Sequence, residues 1–260
     1  MNILFLGDVI GKPGRKAVRS LLPRLIHREA AALVVVNGEN ASGGIGLKPD
    51  SARELLDAGV DLLTSGNHIF RYKEIIEFLD EDERVLRPAN YPPGTPGVGW
   101  REMTTPAGVV VGVINLLGRV FTTGVDCPFQ TVEGILGKLC QRARVILVDM
   151  HAETTSEKGA MGWFLDGRVS AVLGTHTHVQ TADERVLPQG TAFLTDVGMC
   201  GPIDSVIGVK PELAIRRFQT QMPTRFEPAT GPAAVQGAVI SVDPDTGRAT
   251  AIRRINEVVK

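Results

Sequence analysis

With 28 Lys+Arg against 29 Asp+Glu, the 260-residue chain has a formal charge of −1, so no global basic field exists to hold long nucleic acid. Hydrophobic residues make up 43% and charged residues 22%, and no segment approaches the roughly 18 consecutive apolar residues of a membrane helix. The 3 cysteines, Cys127, Cys140 and Cys200, are odd in number and lack metal-type spacing, which predicts reduced packing thiols rather than a disulfide framework.

At this length one layered α/β domain spanning 1–260 is expected, with room for a sizeable core. The first apolar run, Asn2–Leu6, reads as a strand ending in Gly7-Asp8. It is too short for a signal peptide and lacks a basic flank, so a cytoplasmic location is expected. Arg15–Ala31 has helical composition, with Pro23 expected to shift or kink it. Leu33–Val36 is apolar throughout, the mark of a central strand covered on both faces, and it runs into Asn37-Gly38-Glu39-Asn40. After the glycine loop Ser42–Gly46 comes a helix over Pro49–Ala58, then a strand over Val60–Leu63 leading to Asn67-His68. Phe70–Leu79 is amphipathic, with Ile75, Ile76 and Leu79 as its buried stripe.

Beyond the Pro/Gly-rich Asn90–Gly99, the runs Trp100–Thr104 and Val109–Leu116 flank a turn as a hairpin does. A helix over Thr131–Arg142 precedes the strand Val145–Met150, which ends in His151, and Glu157–Leu165 is a further helix. Val172-Leu173-Gly174-Thr175 then stops in His176-Thr177-His178, whose imidazoles leave an extended backbone on one side. Thr191–Leu194 is a short strand, Pro211–Phe218 a helix, and Ala234–Val242 with Arg248–Ile255 a second hairpin. Alternation of strands and helices followed by a mixed half suits two sheets packed together with helices outside.

Five apolar runs thus end in candidate ligands: Asp8, Glu39 with Asn40, Asn67 with His68, His151, and His176 with His178. Layered α/β folds place their sites in loops at the carboxyl ends of strands. Singly, each has a plainer reading as a turn or cap residue; together they are hard to attribute to chance. Of the 5 histidines only His27 lies elsewhere, as a surface residue. Oxygen and imidazole donors without thiolate favour manganese, iron or zinc. Arg15, Arg119 and Lys158 could meet a phosphate or be ordinary solvated cations; Asp149 and Asp196 also end apolar runs, as supporting or capping residues outside the ligand set, and Glu153 would orient His151 or lie in solvent.

In combination, Gly7-Asp8, Asn37-Gly38-Glu39-Asn40, Gly66-Asn67-His68, Asp149-Met150-His151-Ala152-Glu153 and Gly174-Thr175-His176-Thr177-His178 resemble the ordered blocks of calcineurin-like metallophosphoesterases, and more narrowly their bacterial YmdB-like branch. The likeness runs from Asp8 to at least Pro202. It implies a four-layer α/β/β/α sandwich of two mixed sheets, with two transition-metal ions, iron or manganese before zinc, held in the loops. Positions matching Asp8, Glu39, Asn40 and His178 would surround one ion, and those matching Glu39, Asn67, His151 and His176 the other, with Glu39 bridging. His68 would be the general acid. One block departs from the wider superfamily: its usual Asp-x-His appears as Asp8-Val9-Ile10, and Asn40 is the residue expected to fill that place.

Two cations roughly 3.5–4 Å apart stabilise the anionic oxygens of a phosphodiester and acidify the water between them. The oxygen that leaves phosphorus needs a proton, which an imidazole of ordinary pKa about 6.5 can supply. The expected activity is hydrolysis of small phosphodiesters, with the resemblance adding cyclic nucleotides such as 2′,3′-cyclic monophosphates. A phosphomonoesterase or nucleotidase is the alternative within the same chemistry, and a metal-binding regulatory protein with vestigial activity the alternative outside it. Neither a membrane nor long nucleic acid is an expected partner; a homo-oligomer is allowed.

Overall fold

Side chains that alternate along a strand sort themselves into two layers. In the computed structural model, which describes residues 1–259, β1 (Asn2–Leu6) sends Ile3 and Phe5 to one side and Leu4 and Leu6 to the other. The two-residue β2 (Asp8–Val9) follows, and α1 (Gly11–Glu29) leads to β3 (Ala31–Asn37), parallel to β1. The helix starts earlier than its composition suggests and runs through Pro23, which sits on the exposed face. There the carbonyl left without a donor can be hydrated. A second crossover through α2 (Pro49–Asp57) places β4 (Leu62–Thr64) parallel to β3. A 3₁₀ turn at Ile69–Arg71 then precedes α3 (Glu74–Glu81), whose buried stripe is Ile75, Phe78 and Leu79. Ile76, expected in that stripe, is exposed, because residues three and four apart share a helix face and Ile75 has taken it.

The second sheet begins with the expected hairpin, β5 (Trp100–Thr104) against β6 (Val110–Leu117). α4 (Pro128–Leu139), β7 (Val145–His151), α5 (Thr155–Phe164) and β8 (Ala171–Thr175) continue it as parallel crossovers. The short β9 (Arg185–Val186) and β10 (Ala192–Leu194) close its far edge.

The chain then returns to the first sheet. β11 (Met199–Pro202) pairs with β2, a strand that neighbouring apolar pattern does not announce, and α6 (Pro211–Thr220) buries only Ala214. β12 (Ala233–Val242) pairs along its length with β13 (Ala249–Val259). Its other edge is shared end to end, Gly237–Ser241 facing β1 and Ala233–Val235 facing β11. The C-terminal hairpin therefore binds the first strand to the last crossing.

Three apolar layers result. One joins the first sheet to α1, α2 and α3 through Leu4, Val34 and Val36; one joins sheet to sheet through Phe5, Val35, Val113, Leu147 and Leu173; one joins the second sheet to α4 and α5 through Ile146, Val148 and Met161. This is the α/β/β/α sandwich of two mixed sheets. Among the described residues, no helix is long and apolar enough to cross a membrane.

Candidate metal centre

All of the expected donors lie where strands of the two sheets run out, facing one another across the interface. Asp8 is in β2, Glu39 and Asn40 follow β3, Asn67 and His68 follow β4, His151 closes β7, and His176 and His178 follow β8. Asp8, Glu39 and His151 have no solvent exposure, and Asn40 almost none. Glu39 Oε1 is 3.2 Å from His151 Nε2 and 3.1 Å from His68 Nδ1. His151 Nε2 also lies 3.2 Å from Asn67 Oδ1 and 3.0 Å from His176 Nδ1. Donor atoms of Glu39, His151 and His176 all fall within 4.8 Å of one another. Asp8 stands beside them: Oδ2 accepts the His176 backbone N–H at 3.1 Å, and Oδ1 is 3.5 Å from His178 Nε2.

Each imidazole of the set has one nitrogen tied to oxygen and the other turned inward. His151 holds Thr175 Oγ1 through Nδ1 at 2.8 Å, and that hydroxyl donates to Asp149 Oδ1 at 2.7 Å. His178 uses Nδ1 on the Ile207 carbonyl at 2.9 Å, and His176 uses Nε2 on Glu153 Oε2 at 3.0 Å. Outer oxygens of this kind fix the tautomer and aim of metal-bound histidines.

Two further observations fit a cation. Asp8 Oδ1 is buried and makes no well-formed hydrogen bond, its nearest polar neighbour being His178 Nε2 at 3.5 Å, which leaves the oxygen open to a cation. A Cβ on Gly66 would come within 2.2 Å of His151 Nε2 and 2.3 Å of Glu39 Oε2, so only glycine leaves those donors their space. The electrostatics agree. Burial opposes ionisation of Glu39, yet His151 and His68 outweigh it and hold the carboxyl well below its usual range. Asp8 is likewise lowered, against its burial, chiefly by His178. In return, although burial disfavours the charged ring, Glu39 and Asp8 push His151 up to about 9; His178 rises for the same reasons, led by Asp8. The pocket thus demands positive charge.

Asn40 faces the cluster with its amide nitrogen, which donates to Glu39 Oε1 at 3.0 Å and lies 3.3 Å from His178 Nε2. Its oxygen meets His68 Nδ1 at 3.0 Å. A half-turn of the carboxamide would exchange the two. His68 is about one-third exposed and lines, with Glu39, Asn40, His176, His178 and Ile207, a cavity of 230 Å³.

The His-x-His turn is not simple extended backbone. His176 and His178 have φ of 96° and 64°, and Ile207 has 48°, all in the left-handed region that side chains resist. Thr177 anchors this turn: its N–H and hydroxyl both donate to Asp196 Oδ2, at 3.1 and 2.6 Å. Lys158 Nζ donates to the same oxygen at 2.7 Å, and both members of this ion pair are fully buried. Lys158 is therefore no phosphate contact but a strut beneath the site. Arg15 is similarly committed, to Glu54 at 2.6 Å and to the Ala41 carbonyl. Asp149, besides Thr175, accepts Thr64 Oγ1 at 2.5 Å and Asn37 Nδ2 at 3.0 Å, and burial pushes its carboxyl up to about 6. Thr64, Thr175, Thr177 and Ile207 carried no signal as single residues; their hydroxyls and carbonyl matter only because distant segments meet. Of the cysteines only Cys200 packs fully inside; Cys140 is exposed.

A family model described as YmdB-like protein matches residues 4–255. The chain is 46% identical over 255 residues to a 2′,3′-cyclic-nucleotide 2′-phosphodiesterase of Bacillus subtilis (strain 168), covering 98% of this chain and 96% of that protein. Among solved structures, a hypothetical protein from Thermus thermophilus superposes with a TM-score of 0.93 at 43% identity, covering 99% of each chain. A novel phosphatase from Mycoplasma pneumoniae gives 0.92 at 35% identity, over 99% of this chain and 93% of that one.

Proposed function

The chain belongs to the YmdB-like protein family, and on that premise we propose that it is a metal-dependent phosphodiesterase of small substrates, 2′,3′-cyclic nucleotides first among them. The observation that carries the reading is the set of three imidazoles, each tied outward by one nitrogen, with the other turned inward: His151 onto Glu39, His178 onto Asp8, and His176 onto His151 Nε2. Asp8, Glu39, Asn40 and His178 would hold one ion, and Glu39, Asn67, His151 and His176 the second. When bound, such ions polarise phosphoryl oxygens and make water acidic near neutral pH.

The chain's own residues supply orientation and a proton. Hydrolysis joins water's oxygen to phosphorus and breaks the opposite P–O bond, whose ribose oxygen must be protonated as it leaves. His68 Nδ1 is engaged by Glu39 and Asn40, which leaves Nε2 as the nitrogen free to give that proton. Its partial exposure at the cavity wall lets a substrate reach it. The buried struts behind His151 and Thr177 hold the inward nitrogens still, so little reorganisation accompanies binding.

The test compares 2′,3′-cyclic AMP, bis-p-nitrophenyl phosphate and p-nitrophenyl phosphate with manganese-loaded protein. The reading expects the two diesters to be turned over in preference to the monoester; the reverse order would make the protein a phosphomonoesterase. His68→Ala should keep its metal content while turnover falls about 10²–10⁴-fold, the worth of a positioned acid. Normal turnover in that variant would remove His68 from the chemistry.

A further inference from the structure

Beside the metal cavity lies a larger groove, 910 Å³, along the exposed side of α1. Its cations are Lys12, Lys16 and Arg19, which stand one helical turn apart, with Arg15 also in the lining and, among the described residues, no carboxylate there. Arg19 leans on Glu54 at 3.5 Å, whereas Lys12 and Lys16 are exposed and pair with no carboxylate among the described residues. The first turn of α1 also lacks any acidic residue. In a chain of formal charge −1 this is a strong local excess.

The segments that line the groove and the metal cavity adjoin, although no residue lines both. Asn40 lines the cavity and Gly43 the groove, within one turn-rich loop; Ile207 lines the cavity, and the adjoining Gly208 carbonyl accepts the N–H of Ala229, which lines the groove. Between them Gly11 and Gly44 lie close under Pro228. The opposite wall of the groove, built by Pro228, Ala229, Ala233 and Val259, is apolar and has no aromatic ring.

We propose that this groove is a subsite for the sugar-phosphate chain upstream of a terminal 2′,3′-cyclic phosphate, so that short oligoribonucleotides are substrates as well as mononucleotides. The proposal rests on the phosphodiesterase reading above and extends its substrate class. Lys12 to Arg19 spans about 10 Å at the helical rise, which accommodates a few phosphates and no long polymer. Free lysine ammoniums neutralise phosphates without regard to base, and the absence of an aromatic platform leaves no stacking contribution. Binding is therefore salt-dependent and indifferent to sequence.

The experiment uses the manganese-loaded full chain with 2′,3′-cyclic AMP and with a fluorescent oligoadenylate tetramer ending in a 2′,3′-cyclic phosphate. At low salt, kcat/KM for the tetramer should exceed that for the mononucleotide by about tenfold and lose that advantage as salt rises. The pair Lys12→Ala and Lys16→Ala, or Lys16→Glu alone, should abolish the advantage and leave mononucleotide turnover unchanged within twofold. Anisotropy of the same tetramer ending in a 3′-hydroxyl, which offers no terminal phosphate to cleave, reads the groove separately from catalysis. If neither cyclic substrate is cleaved, the phosphodiesterase reading fails while this binding measurement still decides the groove. Equal kcat/KM for the two substrates, or tetramer binding that survives both lysine changes, overturns the subsite. So does competition by an acidic glutamate peptide at the tetramer's own concentration, which would make the groove a peptide site.

Discussion

The two sheets contribute unlike halves to one centre. From the first come oxygen donors and acidic charge, Asp8, Glu39, Asn40 and Asn67, with His68 beside them; from the second come the imidazoles His151, His176 and His178. The oxygen half sits in short turns at strand ends. Asn37 Oδ1 caps the Glu39 N–H there at 3.1 Å, and the His68 N–H meets Glu39 Oε2 at 3.1 Å. The nitrogen half is propped from beneath by buried polar chains, Asp149 with Thr175 under His151 and Lys158 with Asp196 under Thr177. Neither half is electrically complete. Buried carboxylates without imidazoles would take up protons, and buried imidazoles without carboxylates would lose them. This site therefore exists only when the sheet-to-sheet core has formed, so its chemistry and its folding are linked.

That comparison can be broken most directly at Glu39, the residue that touches both halves. On the proposed two-ion reading, Glu39→Ala should lose bound metal from both positions and with it all measurable turnover, as metal analysis of protein purified without chelator will read. Retention of a full metal complement would mean that the carboxylate does not join the halves. Next in size is the strut. Lys158→Met leaves Asp196 as an uncompensated buried charge and should cost about 3–5 kcal/mol in urea unfolding. The double change Lys158→Met with Asp196→Leu should recover part of that stability yet lower metal affinity, because Thr177 then loses its anchor on Asp196.

A smaller effect sharpens the account of the nitrogen half. Thr175→Val removes the hydroxyl between His151 and Asp149 and should weaken metal binding about 10–100-fold, with the fold intact by circular dichroism. An unchanged affinity would show that His151 needs no oxygen behind it. The gentlest probe is protonation. In the metal-free protein His151 is pushed up to about 9, so it carries its proton at neutral pH and metal uptake must expel it. Calorimetry in two buffers of different ionisation heat should therefore reveal proton release at pH 7. Affinity should climb with pH and level off near 9. Metal uptake without proton release would contradict the charge pairing between the sheets.

Much of the centre was legible in the chain itself. Strand-ending apolar runs are short, local patterns, and a ligand at a strand's carboxyl end is carried by the chain with its neighbour, so Asp8, Glu39, Asn67, His151, His176 and His178 could be named as a set, although each alone reads equally as a turn or cap. Of the struts, Asp149 and Asp196 could be suspected as supports, but their partners Thr175 and Lys158 could not. Lys158 reads in a helix as an ordinary surface cation, and only α5 packing over β8 places its ammonium on Asp196, 38 residues on. The charge total hid the α1 groove for the same reason, because a sum over the chain erases where cations gather.

The period of each segment and the type of donor at its end are written in the chain, since both depend on a few adjacent residues and on backbone geometry. Only the tertiary structure decided that the C-terminal hairpin lies against β1, that β11 pairs with β2, and that the left-handed turn at His176 and His178 is held open by a buried ion pair. Those outcomes depend on which distant surfaces exclude water together, and no single stretch of chain contains that information.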